Sequence, residues 1–444
     1  MYINQLIVAL YSRNYRLFVI GNSISNIGSL IEYIALSWLV YRLTNSATYV
    51  GILFFISQIS IFLISPFSGI LADRIPRLKL LIITNLVTAL ISLILGILIM
   101  CGSKSLLLIF STQIIAGLTK GIDNPVRNTL VNDLIDKPEQ LVNAISINSS
   151  IFNIAKIIGP TLAAILIPWA GEGICFLINS ISFLSIIIAL FMMKLKPQFS
   201  SRNSINIFED LKEGFIYSVH FSPVRTIIVF VSLIGLFCFS LNIILPVYAK
   251  EVLQGGADTF GFITTYSGIG ALFAALFMAT KRNALGLDFT IFIAALIFSS
   301  GYFLLSLISN FMIASIVVVF IGFGQVLIFA SASSILQTLS ENDKMGRVIG
   351  LYFMFFMACT TLGSLLVGKL SDTVGPALTI KLISGLTIAI AILYGSQIKY
   401  VRKKSLRRFI KLGIDPVHLR NDKFNFLNNN EKIQGSRTKK SGFI

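Results

Sequence analysis

Long apolar segments separated by short polar connectors dominate the hydropathy pattern of this chain of 444 residues. A helix needs about 20 mostly apolar residues to cross the hydrocarbon core of a bilayer. Twelve segments reach that length: residues 17–41, 48–72, 80–101, 106–126, 143–167, 173–193, 224–249, 259–280, 289–307, 311–335, 347–370 and 377–398. The pattern therefore predicts an all-α integral membrane protein with twelve spans.

One polar stretch is much longer than the other connectors and divides the predicted spans into six plus six. We predict four parts: an N-terminal six-helix bundle over 1–193, a cytoplasmic linker with an amphipathic helix over 194–223, a C-terminal six-helix bundle over 224–398 and a basic cytoplasmic tail over 399–444. The halves also resemble each other, since residues 158–171 align without a gap with residues 362–375. Parallel repeats of this kind imply a central cavity with alternating access.

Composition excludes a soluble domain. Apolar residues make up 55% of the chain, charged residues 12%, and the mean hydropathy is +0.85, whereas soluble domains carry about 25% charged residues. The four cysteines are scattered through the spans, without the spacing of a metal site or a disulfide framework.

The net charge of +17 is distributed as in a membrane protein. Lys and Arg cluster in alternate connectors, which by the positive-inside rule places both termini in the cytoplasm. We also predict that the chain lies in a bacterial inner membrane. The basic tail is expected to bind anionic lipid headgroups. Because no fold or aromatic platform accompanies the charge, we expect no nucleic-acid partner.

Charged residues within spans are candidates for function, because each costs at least about 2.5–3.5 kcal/mol at the bilayer centre. Glu32 lies near the middle of the first span and Lys156 at about mid-depth in the fifth, on one face with Asn153. Gln325 is a further polar candidate for a cavity. Glu32 is either a site for a proton or cationic substrate or a member of a structural ion pair, and the sequence leaves both readings open.

Lys120, Asp123 and Arg127 follow one another at spacings of three and four near the predicted cytoplasmic end of the fourth span. Side chains at these spacings pair along one helix. We favour a charge ladder of this kind over contact with substrate.

The connector between the second and third spans reads Gly69-Ile-Leu-Ala-Asp73-Arg74-Ile-Pro-Arg77-Leu-Lys79. It resembles the corresponding loop of the major facilitator superfamily. Further segments, among them Asp123-Asn-Pro-Val-Arg127 and Leu245-Pro-Val-Tyr-Ala249, are similar to its transmembrane secretion effector branch, which includes enterobactin exporters and macrolide efflux proteins. The resemblance runs from about residue 13 to 395 and implies two pseudo-symmetric six-helix bundles.

The resemblance also implies a gate at the cytoplasmic side. Arg77 would contact Asp123 while the cavity faces outward, and loss of that contact would let this side open. The remaining members of the predicted gate are Gly69, Asp73, Arg74 and Arg127.

Gly159-Pro160 resembles part of the antiporter motif of superfamily exporters, although three glycines of that motif are Ala155, Ala163 and Ala164 here. We predict a hinge at Gly159 and Pro160, an ordinary proline kink being the alternative. Spans one and five are neighbours in the superfamily, so we also hypothesise a Glu32–Lys156 pair. Gln113 replaces the usual arginine of the fourth span, whose coupling role therefore does not transfer.

These observations predict a secondary transporter, not an enzyme, that exports a small amphipathic molecule such as a drug, a macrolide or a siderophore in exchange for protons. The proton gradient would supply the energy, with no cofactor or metal, and we expect a monomer. An importer or lysolipid carrier on the same fold is the first alternative. A non-transporting receptor or scaffold is the second, although it has no need of mid-bilayer charges or duplicated halves.

Overall fold

A computed structural model describes residues 8–135, 140–193, 215–281, 284, 286–341 and 344–411 of this chain. Most of the predicted amphipathic segment at 207–217 and the tail beyond Lys411 lie outside the described residues. The side chains at positions 69, 70 and 72–74 also lie outside the description, so the predicted roles of Gly69, Asp73 and Arg74 stay predictions.

The described part of the chain is a bundle of helices. They are α1 (Arg13–Thr44), α2 (Ala47–Arg74), α3 (Arg77–Met100), α4 (Leu106–Leu134), α5 (Leu141–Met192), α6 (Ser222–Phe237), α7 (Leu245–Glu251), α8 (Ala257–Ala279), α9 (Leu287–Leu305), α10 (Phe311–Leu339), α11 (Met345–Val374) and α12 (Pro376–Lys411). Short 3-10 turns cover Val8–Tyr11 and Phe239–Ile244.

Among the described residues, eleven helical stretches are long and apolar enough to cross a membrane, one of them joining α6 and α7 over Ser222–Glu251. The fifth, α5, contains 52 residues, which at 1.5 Å per residue is long enough to cross twice. Its backbone leaves the helical conformation at Gly171, with φ 78° and ψ 172°. Residues with a side chain are strained in this conformation, whereas glycine adopts it readily. The fifth and sixth predicted spans therefore meet at Gly171, and all twelve predicted spans are helical.

One end of the bundle, which we call the basic end, holds the start of α1, the end of α4 and the start of α5. Ser12 Oγ donates to the carbonyl of Leu134 at 2.7 Å, and Tyr15 Oη donates to the carbonyl of Ala144 at 2.7 Å. The turn between α2 and α3 lies at the same end and consists of Ile75 and Pro76, since α2 continues through Arg74. The predicted loop is thus largely the last turns of a helix.

The two halves of the chain pack closely between mid-depth and the opposite end. The hydroxyls of Thr161 in α5 and Thr265 in α8 lie 3.0 Å apart. A Cβ built on Gly268 of α8 would lie 2.6 Å from the carbonyl oxygen of Lys156 in α5, so only glycine permits this approach. Ser364 Oγ of α11 donates to the carbonyl of Gly51 in α2 at 3.2 Å. These contacts close the structure at the opposite end.

Candidate functional site

A cavity of about 140 Å³ lies between the two halves near mid-depth. Its walls come from α1, α2, α3, α4 and the second segment of α5 on one side, and from the 3-10 turn, α7 and α8 on the other. Most of the lining is apolar, and the polar side chains in it are separated from one another. The apolar side chains include Leu36, Val50, Leu53, Phe54, Ile61, Phe183, Ile243 and Phe260.

Glu32 of α1 lines this cavity, as predicted for a cavity residue. Its Oε2 atom accepts hydrogen bonds from Ser92 Oγ of α3 at 2.6 Å and from Asn179 Nδ2 in the second segment of α5. Asn179 Nδ2 also lies 3.1 Å from Ser92 Oγ. Within the described part of the chain, Oε1 has no hydrogen-bond partner. The carboxylate of this cavity-lining residue is therefore anchored by one oxygen, while the other is free of hydrogen bonds to described residues.

The hypothesised pair between Glu32 and Lys156 is wrong for this conformation. The helices are neighbours, as predicted: a Cβ built on Gly159 would lie 2.6 Å from Cβ of Leu30. Yet Glu32 is bound by groups of α3 and the second segment of α5, while Lys156 Nζ lies 4.9 Å from the centroid of the Phe152 ring on its own helix. Helix contact alone does not decide which way two side chains point.

Three of the predicted cavity residues lie elsewhere. Lys156, Asn153 and Gln325 are half-buried but do not belong to the cavity lining of the described chain. Asn153 Nδ2 instead donates to the carbonyl of Ser149 at 3.0 Å, one turn back along α5. Satisfied by its own helix, this amide does not need a partner in the cavity.

Asp123 and Arg127 of α4 form an ion pair with a 2.7 Å contact between Arg127 Nε and Asp123 Oδ2. Asp123 Oδ1 accepts hydrogen bonds from Thr84 Oγ1 at 3.0 Å and Asn85 Nδ2 at 2.8 Å. Arg127 in turn donates to Asn85 Oδ1 at 3.1 Å and to Asn22 Oδ1. The predicted pairing along the helix is confirmed for these two residues, and it extends into a buried polar network that joins α1, α3 and α4.

The predicted gate contact between Arg77 and Asp123 is not formed in this conformation, and its role in a state whose cavity faces outward stays a prediction. Arg77 Nη1 instead lies 2.7 Å from Asp133 Oδ2. Asp133 is ten residues beyond Asp123, about 15 Å along a helix axis, and this brings it to the basic end where α3 begins. The carboxylate of Asp123 is paired with Arg127 instead.

Lys120 departs from the predicted charge ladder, because it lines the cavity and forms no ion pair within the described residues. Gln113, seven residues earlier, lines the same cavity. Asn179, which the sequence offers as a polar span residue that could line the cavity, does line it and holds Glu32 together with Ser92. Ser92 is a site residue that the sequence analysis missed, and it carried no signal, since its role depends on how three helices pack. A seven-residue spacing on one helical face was the available signal that Gln113 and Lys120 share the cavity.

The Gly159–Pro160 pair lies within the regular part of α5, and the non-helical conformation inside this helix is at Gly171. The carbonyl oxygen of Pro160 faces α8, where a Cβ on Gly261 would lie 2.8 Å from it. The proline therefore lies at a point of close packing between the halves, and the predicted hinge at Gly159 and Pro160 stays a prediction.

A multi-pass membrane protein whose halves enclose a cavity with a charged group at mid-depth has the architecture of a transporter. Comparison with known families agrees with this class. Residues 7–414 match the family model described as transmembrane secretion effector. The chain belongs to this family, a branch of the major facilitator superfamily, and it is a transporter, not an enzyme.

Two curated relatives have named activities. The staphyloferrin A transporter of Staphylococcus aureus (strain NCTC 8325 / PS 47) is 27% identical over 376 residues, covering 83% of this chain and 92% of the relative. The multidrug efflux pump Tap of Mycolicibacterium fortuitum is 21% identical over 357 residues, covering 78% of this chain and 87% of the relative.

Solved structures share the fold. The nucleoside transporter NupG superposes with a TM-score of 0.70 at 13% identity, covering 87% of this chain and all (100%) of that one. A D-xylose–proton symporter gives a TM-score of 0.69 at 13% identity, covering 87% of this chain and 97% of the other. The predicted major facilitator fold is thus confirmed.

Proposed function

We propose that this chain is a proton-coupled antiporter of the bacterial inner membrane that exports a small amphipathic molecule. The observation that carries the proposal is the placement of Glu32 in the cavity lining, with Oε2 anchored to Ser92 and Asn179 and Oε1 without a hydrogen-bond partner among the described residues. A carboxyl group held in this way can exchange a proton without losing its position. The proton gradient supplies the energy, and no cofactor takes part.

The transport cycle we propose is rocker-switch alternation of the two halves about the cavity. Contacts between the halves close the opposite end, as in the Thr161–Thr265 pair. Toward the basic end, Ser146, Ser149 and Ser150 of α5 are exposed, and polar side chains at membrane depth face water or protein in preference to lipid. These features favour a cavity that opens toward the basic end, which the charge distribution assigns to the cytoplasm.

The ion pairs near the basic end would have a different role from the predicted latch. Arg77–Asp133 joins α3 to α4, and the network around Asp123 and Arg127 joins α1, α3 and α4. All of these helices belong to the first half of the chain. We therefore propose that these contacts keep the first half rigid, so that it tilts as one body.

Two further features support export of an amphipathic molecule. The cavity is mostly apolar, with isolated polar groups that would orient a ligand. The relatives include a transporter named for a siderophore and a multidrug efflux pump. The chain would act as a monomer, with the exposed Lys403 and Lys404 at the end of α12 near anionic headgroups.

Inverted membrane vesicles test this proposal. With an inside-acid pH gradient reported by a quenched fluorescent amine, we would add a macrolide, ethidium and a carboxylate siderophore in turn. At least one compound is expected to exchange with internal protons in wild-type vesicles, and the fluorescence of the amine should then recover from quenching. Glu32→Gln should abolish this recovery, and Asp258→Asn, which neutralises an exposed carboxylate at the opposite end, should retain it.

Two results would contradict the proposal. If no compound disturbs the gradient in wild-type vesicles, proton-coupled export of this substrate class is wrong. If the fluorescence recovers with Glu32→Gln as it does with the wild type, transport is coupled elsewhere or not coupled at all.

A further inference from the structure

Two charged side chains line the cavity in the described part of the chain, and they lie on different walls. Glu32 is held by α3 and the second segment of α5 through its bonds to Ser92 and Asn179. Lys120, on α4, is exposed and forms no ion pair or hydrogen bond with any described residue. No carboxylate of the described chain pairs with this ammonium group, so it is available to an anion that enters the cavity.

A second group on the same wall also lacks a partner. Gln113 is 6% exposed, and its Oε1 accepts a hydrogen bond from Ser57 Oγ at 3.2 Å. Its Nε2 is buried without a hydrogen-bond partner in the described structure. Buried amide donors nearly always find a partner. A donor without a partner beside a cavity is available to an acceptor that a ligand would supply.

The two donors without a protein partner, Gln113 Nε2 and Lys120 Nζ, belong to residues aligned along α4. Seven residues separate Gln113 from Lys120, which places them on one face of α4 about 10 Å apart. The cavity lining between them comes from Ala116 and Gly117. Because Gly117 packs against Ser57 and Ser60 of α2, a ligand that contacts both donors would lie on the Ala116 side of α4.

From this arrangement we infer that the cavity takes an anionic amphiphile, whose carboxylate or comparable anion contacts Lys120 Nζ and whose neutral oxygen acceptor contacts Gln113 Nε2. The apolar body of the ligand packs against side chains such as Phe54 and Ile61. The carboxylate of Glu32 on the facing wall disfavours a second negative charge, so the ligand carries its charge at one end. This inference rests on the proposed function, since it assigns the substrate class of the same cavity.

Three probes that share the dansyl group and carry a negative, a neutral or a positive end group test the inference: dansylglycine, its methyl ester and dansylethylenediamine. Binding to the purified full-length protein in phosphatidylcholine nanodiscs would be followed by dansyl fluorescence. The wild type is expected to bind the carboxylate at least about tenfold more tightly than the ester, which corresponds to about 1.4 kcal/mol. The amine is expected to bind least tightly.

Variants of Lys120 and Gln113 test which side chain produces the preference for the carboxylate over the ester. Lys120→Met should reduce the preference for carboxylate over ester to less than about twofold while leaving ester affinity unchanged, and Lys120→Arg should retain it. Gln113→Leu should weaken the carboxylate and the ester to the same extent. Lys381→Met removes one positive charge from an exposed position outside the cavity and serves as the matched control.

The inference is overturned if the wild type binds acid and ester equally, if the amine binds most tightly, if dansylglycine does not bind at 1 mM, or if Lys120→Met keeps the preference. These outcomes are independent of proton coupling. If proton release depends on Glu32 but the carboxylate is not preferred over the ester, only this inference fails. If the carboxylate is preferred but no protons are released, only the proposed proton coupling fails.

Discussion

The carboxylate of Asp372, near the end of α11, accepts a hydrogen bond from the backbone N–H of Ala47, the first residue of α2, at 2.6 Å. Its second oxygen accepts from the N–H of Thr48 at 3.0 Å and from Ser46 Oγ. Unpaired N–H groups and the helix dipole make such a terminus favourable for a negative charge. A residue of the second half thus caps a helix of the first, and this contact helps to hold the opposite end closed.

Asp372→Asn should loosen that closure. The neutral amide keeps the size of the side chain but loses charge-assisted hydrogen bonds, which are worth about 1.5–3 kcal/mol. We expect amide hydrogen exchange in residues 47–51 to accelerate by about tenfold or more. Thr373→Ala is the matched control, because its exposed hydroxyl only bonds the carbonyl of Leu370. Equal exchange in Asp372→Asn and wild type would show that the cap does not stabilise the closed end.

The ion pair between Asp123 and Arg127 yields a stability prediction. Arg127→Met leaves a buried carboxylate without its cation, which typically costs about 3–5 kcal/mol, and the apparent melting temperature in detergent should fall by several degrees. The double variant Asp123→Leu/Arg127→Met should recover much of the loss, since no charge then stays buried. Lys120→Met, on the same helix but exposed to the cavity, should change the melting temperature little. A double variant less stable than Arg127→Met would contradict this account.

Arg77 should be energetically coupled to Asp133 and not to Asp123. In a double-mutant cycle on thermal stability, Arg77→Gln with Asp133→Asn should show a coupling of about 1 kcal/mol or less, as expected for a partly exposed pair. Arg77→Gln with Asp123→Asn should give effects that add. Coupling to Asp123 in place of Asp133 would restore the gate contact predicted from the sequence.

Gly268 should be intolerant of even one methyl group. A Cβ at this position would lie 2.6 Å from the carbonyl oxygen of Lys156, so Gly268→Ala must push α8 away from α5. In a background lacking the native cysteines, oxidative cross-linking of Thr161→Cys with Thr265→Cys should fall sharply. Gly385→Ala, where a Cβ meets no atom within 4 Å, should leave the yield unchanged. Efficient cross-linking in Gly268→Ala would show that the helices are not in close contact there.

Much of the architecture was predictable from local pattern. Span number and position follow from hydropathy and length, because each helix must satisfy its own backbone hydrogen bonds in the membrane. The break at Gly171 falls in the short gap between two predicted spans. The choice of Glu32 as a cavity candidate also followed, since a carboxylate within an apolar segment is conspicuous in any fold, and Glu32 does line the cavity.

The partners of these residues were not predictable in the same way. Glu32 is bound by Ser92 and Asn179, which are 60 and 147 residues away, and Arg77 selects Asp133 over Asp123. These pairings depend on the rotation and depth of each helix relative to its neighbours, and the hydropathy pattern carries no information about either. The sequence alone determined which segments enter the membrane and which charges go with them, because burial from water is a property of each segment. Only the tertiary structure decided that Lys120 and Gln113 face a cavity while Lys156 does not, because that outcome is set by the packing of whole helices against one another.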